Sequence, residues 1–150
     1  MSDEALIMTL AGGEVGIRLR PDLAPRHVAQ IKDLAAEGFY DGVVFHRVIE
    51  GFMAQGGDPT GRGSGGSKKA NIPAEFSNAP HVRGACSMAR TADPNSANSQ
   101  FFICLSDSRF LDGQYTVWGE VVFGMEHVDA LPRGEPPASP GRIVSMRLKA

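Results

Sequence analysis

The sequence predicts a mainly β domain, an antiparallel barrel or sandwich with helices at its ends. Three observations favour this class. Short apolar stretches with strand-like patterns recur at short intervals, and only two segments have the apolar spacing of a helix. The chain of 150 residues also contains 18 glycines and 10 prolines, which is typical of many turns. With 42% hydrophobic residues, a chain of this length is expected to form one domain, residues 1–150, around a single core.

The first two strands are predicted as a hairpin. Apolar residues alternate in residues 6–10 and again in residues 15–19, and Gly12 and Gly13 lie between the two stretches. Two glycines between alternating stretches suit a tight hairpin turn.

Two helices are expected. Pro25 suits a first helical turn, Val28, Ile31 and Leu34 follow at helical spacing, and Gly38 can end the helix. A shorter helix is predicted over residues 125–131, because Pro132 cannot continue it.

The other strands are predicted from their apolar patterns and from the turn residues that bound them. They comprise residues 43–49, 84–89, 100–105, 115–123 and 142–148. The glycine-rich residues 56–67 and residues 132–140 are expected to be loops. The sequence contains neither internal repeats nor a domain linker.

Composition excludes several kinds of partner. The formal net charge of -2 gives no basic surface of the kind that nucleic acids select, so no nucleic acid is expected. Acidic residues stand near the start, where a secretory signal is basic, and no apolar run approaches the length of a membrane span. A cytoplasmic location without a membrane partner is therefore expected. Cys86 and Cys104 lie in apolar contexts, as buried reduced thiols do.

Two motifs suggest chemistry that their contexts do not support. The spacing of glycines in residues 61–66 matches a dinucleotide-binding loop, but no helical pattern follows it, as such a loop requires. This argues against an oxidoreductase and indicates a surface loop. The four histidines are too far apart for a metal site, and His46 is expected to be structural. No cofactor or metal is expected, and no nucleophile motif supports a hydrolase.

The most informative stretch is residues 45–57. It holds Arg47 and Gln55 among large apolar side chains, and strand alternation puts Met53 on the same side as Gln55. Gln100 and Phe102 repeat this combination of a glutamine and a large apolar residue on another strand. Taken singly, the apolar residues resemble core residues and the arginine a member of a surface ion pair. Together they favour a peptide pocket with an apolar floor and a few fixed polar groups.

Longer motifs support this interpretation. Residues 40–58, YDGVVFHRVIEGFMAQGGD, resemble the signature of the cyclophilin-type peptidyl-prolyl isomerases. Residues 87–89, 99–103 and 111–113 resemble other pocket segments of that family in the same order. The resemblance implies a closed eight-stranded antiparallel β-barrel capped by two α-helices. It also implies an enzyme that accelerates rotation about X-Pro bonds and so assists protein folding.

The resemblance assigns roles by position. Arg47 matches the catalytic arginine, and Gln55 a polar group that bonds the substrate backbone. The walls of the proline pocket would be Phe52, Met53, Phe102 and Leu111. The peptide would lie along Ala89, Arg90 and Gln100, pairing with the backbone of residue 90. Expected partners are proline-containing peptides and unfolded proteins, and a monomer is expected.

Two further positions differ from many eukaryotic members. Phe110 and Tyr115 stand where those members have tryptophan and histidine. The missing indole N–H predicts weakened affinity for cyclosporin with isomerase activity retained, while Tyr115 still supplies a wall with a hydroxyl group.

One alternative uses the same pocket residues: a proline-peptide binding module or chaperone whose catalysis is incidental. Arg47 and Gln55 favour the enzyme, because a pure binder needs no donor aimed at the prolyl nitrogen.

Overall fold

The computed structural model describes residues 4–63 and 65–149. Within them, eight strands and two α-helices follow one another, with a 3-10 helix at Arg109–Leu111. The strands are β1 (Ala5–Leu10), β2 (Gly13–Leu19), β3 (Arg47–Ile49), β4 (Met53–Gly56), β5 (Ala85–Met88), β6 (Phe101–Cys104), β7 (Val117–Phe123) and β8 (Ser145–Lys149). The helices are α1 (Pro25–Ala36) and α2 (Met125–Asp129). The predicted mainly β class and both helices are therefore confirmed. The first three residues, Ser64 and the last residue, which belong to the predicted domain, lie outside the described residues.

All eight strands join one antiparallel sheet in the order β3-β4-β6-β5-β7-β2-β1-β8. The predicted hairpin pairs β1 with β2 from Ala5–Arg18 to Leu10–Gly13. The outermost strands, β3 and β8, form no ladder with each other among the described residues. Short contacts link the segments that precede them: Val44 bridges Arg142. Closure of the predicted barrel therefore depends on isolated contacts, and the sheet is closer to a curled half-barrel.

The strand predicted at residues 43–49 is shorter than expected. Only its last part, β3, pairs with β4. The Phe45 amide donates to the carbonyl of Gly141 at 2.9 Å, and the Ile143 amide donates to Val43 at the same distance. The first half of the predicted strand thus joins the opposite edge of the sheet.

An aromatic cluster fills the core. The Phe101 ring on β6 meets the rings of Tyr40, Phe45 and Trp118 edge-on, at centroid distances of 5.5, 6.1 and 5.9 Å. All four side chains are fully buried. Edge-to-face contacts of this kind stabilise a core beyond the area that they bury.

Both cysteines are buried, as expected. Burial raises the pKa of each thiol, that of Cys104 to about 12. Neither thiolate forms at neutral pH, so both side chains act as small apolar groups.

The loop after β4 is anchored by the buried carboxylate of Asp58. The carboxylate accepts hydrogen bonds from the amides of Thr60 at 2.8 Å, Gly63 at 2.7 Å and Gly65 at 3.0 Å. Burial raises the pKa of this carboxyl, but the hydrogen bonds outweigh burial and lower the pKa to about 2. No helix follows this loop, because residues 65–75 are irregular. A dinucleotide-binding loop would have to lead into a helix, so the loop lacks that feature.

We expect Asp58 to make stability depend on pH. Its pKa is about 2 in the folded chain and 3.8 ordinarily, so between these values the unfolded chain takes up a proton that the folded chain does not. A contribution of about 2 kcal/mol, present above about pH 4, is therefore lost as the pH falls toward 2. Chemical denaturation at pH 7, 4 and 2.5 measures this loss. Asp58→Asn should be less stable at pH 7 and lose less on acidification, and an unchanged pH slope in that variant would contradict the assignment.

Candidate active site

An apolar cavity of about 130 Å³ opens beside strands β3, β4 and β6. It is lined by Arg47, Phe52, Met53, Gln55, Ala89, Arg90, Phe102, Leu111 and Tyr115. The structure thus brings together every predicted site residue except Gln100 and Phe110.

Strand register places the central side chains of the cavity. β4 lies between β3 and β6, and Gln55 is opposite Arg47 on one side and opposite Phe102 on the other. Residues opposite each other in neighbouring strands share a face of the sheet. Met53 lies two residues before Gln55 and therefore on the same face, as predicted.

The apolar wall is well packed. Met53, Phe102 and Leu111 are 2%, 5% and 8% exposed. The Tyr115 ring meets Phe102 edge-on at 5.7 Å. The main-chain amide of Ala89 donates to the carbonyl of Gln100 at 3.0 Å, which fixes the strip beside this wall.

His81 supports Phe102 from behind, a role that the sequence did not reveal. Its ring stacks on Phe102 at 6.1 Å. The Nδ1 atom of His81 lies 3.1 Å from Oδ1 of Asp112, and Nε2 lies 2.9 Å from Oγ of Ser87. Burial lowers the pKa of His81 despite the nearby carboxylate, so a neutral ring supports the wall at neutral pH. The sequence around His81 does not predict these contacts, because Phe102 and Asp112 are distant in the chain and Ser87 lies on strand β5.

A chain of hydrogen bonds fixes the polar side of the cavity. Nη1 of Arg47 donates to Oε1 of Gln55 at 3.4 Å, and Nε2 of Gln55 donates to Oε1 of Gln100 at 3.0 Å. Nε2 of Gln100 donates to the carbonyls of Gly63 at 3.0 Å and Gly65 at 2.9 Å. Because two carbonyls need the amide nitrogen of Gln100, its oxygen must face Gln55. The oxygen of Gln55 then faces Arg47.

Arg47 has a second partner that the sequence did not indicate. Its Nε donates to Oε1 of Glu135 at 2.8 Å. Residues 132–140, expected to be only a surface loop, reach the site because Val48 and Gly134 exchange two backbone hydrogen bonds of 2.9 and 2.8 Å. The guanidinium is therefore held from two sides while its side chain stays 43% exposed. The ion pair considered for Arg47 is present, and it lies at the cavity.

Gln100 lines a second, polar cavity of about 360 Å³. The two cavities share Gln55, Ala89 and Arg90, so a chain occupying both would cross these three residues.

Phe110 lies outside both cavities. It is 67% exposed, and its ring packs against Phe52 at 5.7 Å. The 3-10 helix turns Leu111 into the wall and Phe110 away from it, since successive residues of such a helix point about 120° apart.

The remaining candidates are placed as follows. His46 is 7% exposed, as expected of a structural residue, and burial lowers its pKa. In the part of the chain that the structure describes, no three His, Cys, Asp or Glu side chains form a group that could hold a metal ion. None of the described helices is long and apolar enough to cross a membrane.

Comparisons with known proteins agree with this geometry. The family model of cyclophilin type peptidyl-prolyl cis-trans isomerases matches residues 5–148. A probable peptidyl-prolyl cis-trans isomerase of Brucella suis is 54% identical over 143 residues, covering 88% of this chain and 73% of that protein. Peptidyl-prolyl cis-trans isomerase B of Bacillus subtilis is 43% identical over 126 residues, covering 83% and 87%.

Solved structures are similar as well. The crystal structure of a cyclophilin from Hirschia baltica has a TM-score of 0.88 at 33% identity, covering 96% of this chain and 73% of that one. A Cryptosporidium parvum cyclophilin solved in the presence of the dipeptide Ala-Pro has a TM-score of 0.91 at 29% identity, covering 97% and 99%.

A curled antiparallel sheet with a small apolar cavity on one face thus defines the class of the protein. The chain belongs to the cyclophilin-type peptidyl-prolyl cis-trans isomerase family. The family and the isomerase activity predicted from the motifs are confirmed.

Proposed function

We propose that the apolar cavity holds the proline ring of a substrate and that Arg47 catalyses rotation about the preceding bond. The observation that carries this proposal is that the guanidinium lines the same cavity as the apolar wall formed by Met53 and Phe102. The related Cryptosporidium parvum structure was solved with Ala-Pro, which supports proline-containing peptides as ligands.

The reaction requires no bond to be made or cut. Rotation about an X-Pro bond must break amide resonance against a barrier of ~18–20 kcal/mol. In the twisted state the prolyl nitrogen becomes pyramidal and gains a lone pair that can accept a hydrogen bond. A donor that meets this nitrogen only when it is twisted stabilises the transition state rather than the substrate.

Arg47 is suited to be that donor. A guanidinium stays charged at every accessible pH and presents several N–H groups in a rigid plane. Glu135 and Gln55 hold Nε and Nη1, while Nη2 has no partner among residues 4–63 and 65–149. We assign Nη2 to the prolyl nitrogen.

The other side chains position the peptide. The wall formed by Phe52, Met53, Phe102 and Leu111 excludes water from the proline ring, which strengthens the field of the arginine. Gln55 and the strip formed by Ala89, Arg90 and Gln100 bond the flanking peptide, and Tyr115 closes one side. Phe110 is assigned to a contact outside the cavity, beside Phe52.

The hydrogen bond from Arg47 can supply part of the barrier reduction that catalysis requires. An acceleration of about five decades requires a barrier lower by roughly 7 kcal/mol. One charged hydrogen bond provides about 1.5–3 kcal/mol, so positioning and exclusion of water must provide the rest.

Exchange NMR on a short Ala-Pro peptide tests the proposal. We expect the protein at micromolar concentration to accelerate cis-trans exchange by orders of magnitude over the uncatalysed scale of about 10–100 s. Cyclosporin added to the same sample should inhibit weakly, because Phe110 has no N–H group. Tight binding of the peptide without faster exchange would instead favour the binding module.

We further propose that residues 1–150 act as one monomeric isomerase domain in the cytoplasm, with unfolded proteins as substrates and no nucleic-acid partner. One continuous sheet joining all eight strands and the net charge of -2 support this proposal. Light scattering measures the oligomeric state directly, and a stable dimer at micromolar concentration would refute the monomer.

A further inference from the structure

Arg90 lies where the two cavities meet. It lines both of them together with Gln55 and Ala89. A peptide with its proline in the apolar cavity and a neighbouring side chain in the polar one must therefore cross the stretch formed by Gln55, Ala89 and Arg90.

The guanidinium of Arg90 is held in place. Nε and Nη2 donate to the carbonyl of Gln114 at 3.2 and 2.6 Å, and Nη1 donates to the carbonyl of Thr91 at 2.8 Å. The guanidinium carbon lies 4.5 Å from the centre of the Tyr115 ring, a cation–π contact. An arginine has five N–H groups, and within residues 4–63 and 65–149 the others have no partner. A fixed cation with spare donors can receive a carboxylate without ordering its own side chain.

No carboxylate lines either cavity among the described residues. Among the described residues, Arg90 is the only ionisable residue that lines the polar cavity. In the apolar cavity Arg47 is the second cation, and it is paired with Glu135. The next carboxylate along the chain, Asp93, accepts a hydrogen bond from the amide of Asn95. Although the whole chain carries a net charge of -2, Arg90 therefore presents to the peptide a positive charge that no lining carboxylate among the described residues offsets.

We propose that Arg90 makes the enzyme select X-Pro segments that carry an acidic side chain within two residues of the proline. The selection acts through attraction of the side-chain carboxylate to the Arg90 guanidinium. It rests on the proposed function, because it assumes that the proline occupies the apolar cavity.

Three peptide sets test the selection. The host peptide is alanine-rich and contains one X-Pro bond. The sets differ in the position that is varied: two residues before the proline, directly before it, or directly after it. Each set contains a Glu, a Gln and a Lys peptide, and exchange NMR measures kcat/KM for each. In at least one set the Glu peptide should exceed the Gln peptide by roughly fivefold at low ionic strength, since an exposed pair gives up to about 1 kcal/mol. The Lys peptide should be slower than the Gln peptide, and 0.5 M salt should shrink the differences.

In the variant Arg90→Gln, the ratio of kcat/KM for the Glu peptide to kcat/KM for the Lys peptide should fall to about one. In Arg90→Glu the Lys peptide should become the faster of the two. The ratio compares peptides within one variant, so it is independent of any overall loss of rate. Arg62→Gln is the matched control, because Arg62 is exposed but lines neither cavity, and its ratio should equal that of the wild type.

The failures of the two proposals can be told apart. Turnover of all the peptides without charge preference, or a preference that survives in Arg90→Gln, would overturn the role of Arg90 and leave the isomerase intact. Absence of turnover on every peptide would overturn the proposed function. The dissociation constants of the same peptides, measured by NMR titration, would then test the charge preference.

Discussion

Replacing Arg47 by alanine is expected to lower kcat/KM by about 10- to 150-fold, because the variant loses one charged hydrogen bond of about 1.5–3 kcal/mol at the transition state. The fold should persist, since the side chain is 43% exposed and its ion pair with Glu135 contributes little to stability. Exchange NMR on an Ala-Pro peptide measures the rate, and thermal denaturation checks the fold.

Two further variants make this prediction specific. Arg47→Lys keeps the charge but not the planar set of donors, so most of the loss should remain. Glu135→Gln keeps Arg47 and an acceptor for its Nε, so it should lose only a few-fold in kcat/KM. A well-folded Arg47→Ala variant with near wild-type turnover would show that the guanidinium does not act on the prolyl nitrogen.

The two neighbouring phenylalanines of β6 should separate stability from activity. Phe101 points into the core against three aromatic rings, whereas Phe102 lines the cavity. Phe101→Ala is expected to lower the free energy of unfolding by about 3–5 kcal/mol. At a temperature where it stays folded, its kcat/KM should remain within about twofold of wild type, since the site lies on the other face of the strand.

Phe102→Ala is the matched change. It should lower kcat/KM by about 10- to 150-fold, because the proline ring loses an apolar contact of about 1.5–3 kcal/mol. Denaturant unfolding and exchange NMR on the same samples measure both effects, and Phe101→Leu replaces Phe101→Ala if that variant does not fold. An activity loss in the Phe101 variant as large as that in the Phe102 variant would contradict the assignment of the two faces.

Local patterns predicted the elements well but not their ends. Alternation predicted the first hairpin because Leu6, Met8, Val15 and Ile17 pack in the core. Apolar stretches bounded by turn residues predicted β5 and β6, which are buried throughout. Residues 43–49 show the limit, because half of that stretch follows one edge of the sheet and half the other. Where this stretch changes from one edge to the other depends on residues 141–143, which are distant in the chain and give no local pattern.

For the site, too, local motifs predicted the residues but not the contacts that depend on distant parts of the chain. Motifs identified Arg47, Gln55 and Phe102, but their alignment in one row depends on the register of three strands. Glu135 was missed, since the docking of its loop on β3 has no local signal. Phe110 was predicted to bind substrate, and its side chain lies outside the cavity beside Phe52, because a single turn of 3-10 helix decides which of two adjacent residues points inward.

The docking of Gly134 on Val48 also bears on self-association. An uncovered edge strand offers unpaired N–H and carbonyl groups on which another extended chain can add, the first step of many aggregates. On β3 the amide and the carbonyl of Val48 are already occupied by Gly134. The edge of the sheet beside the proposed catalytic Arg47 is therefore closed to a peptide that would otherwise pair with β3 and extend the sheet there.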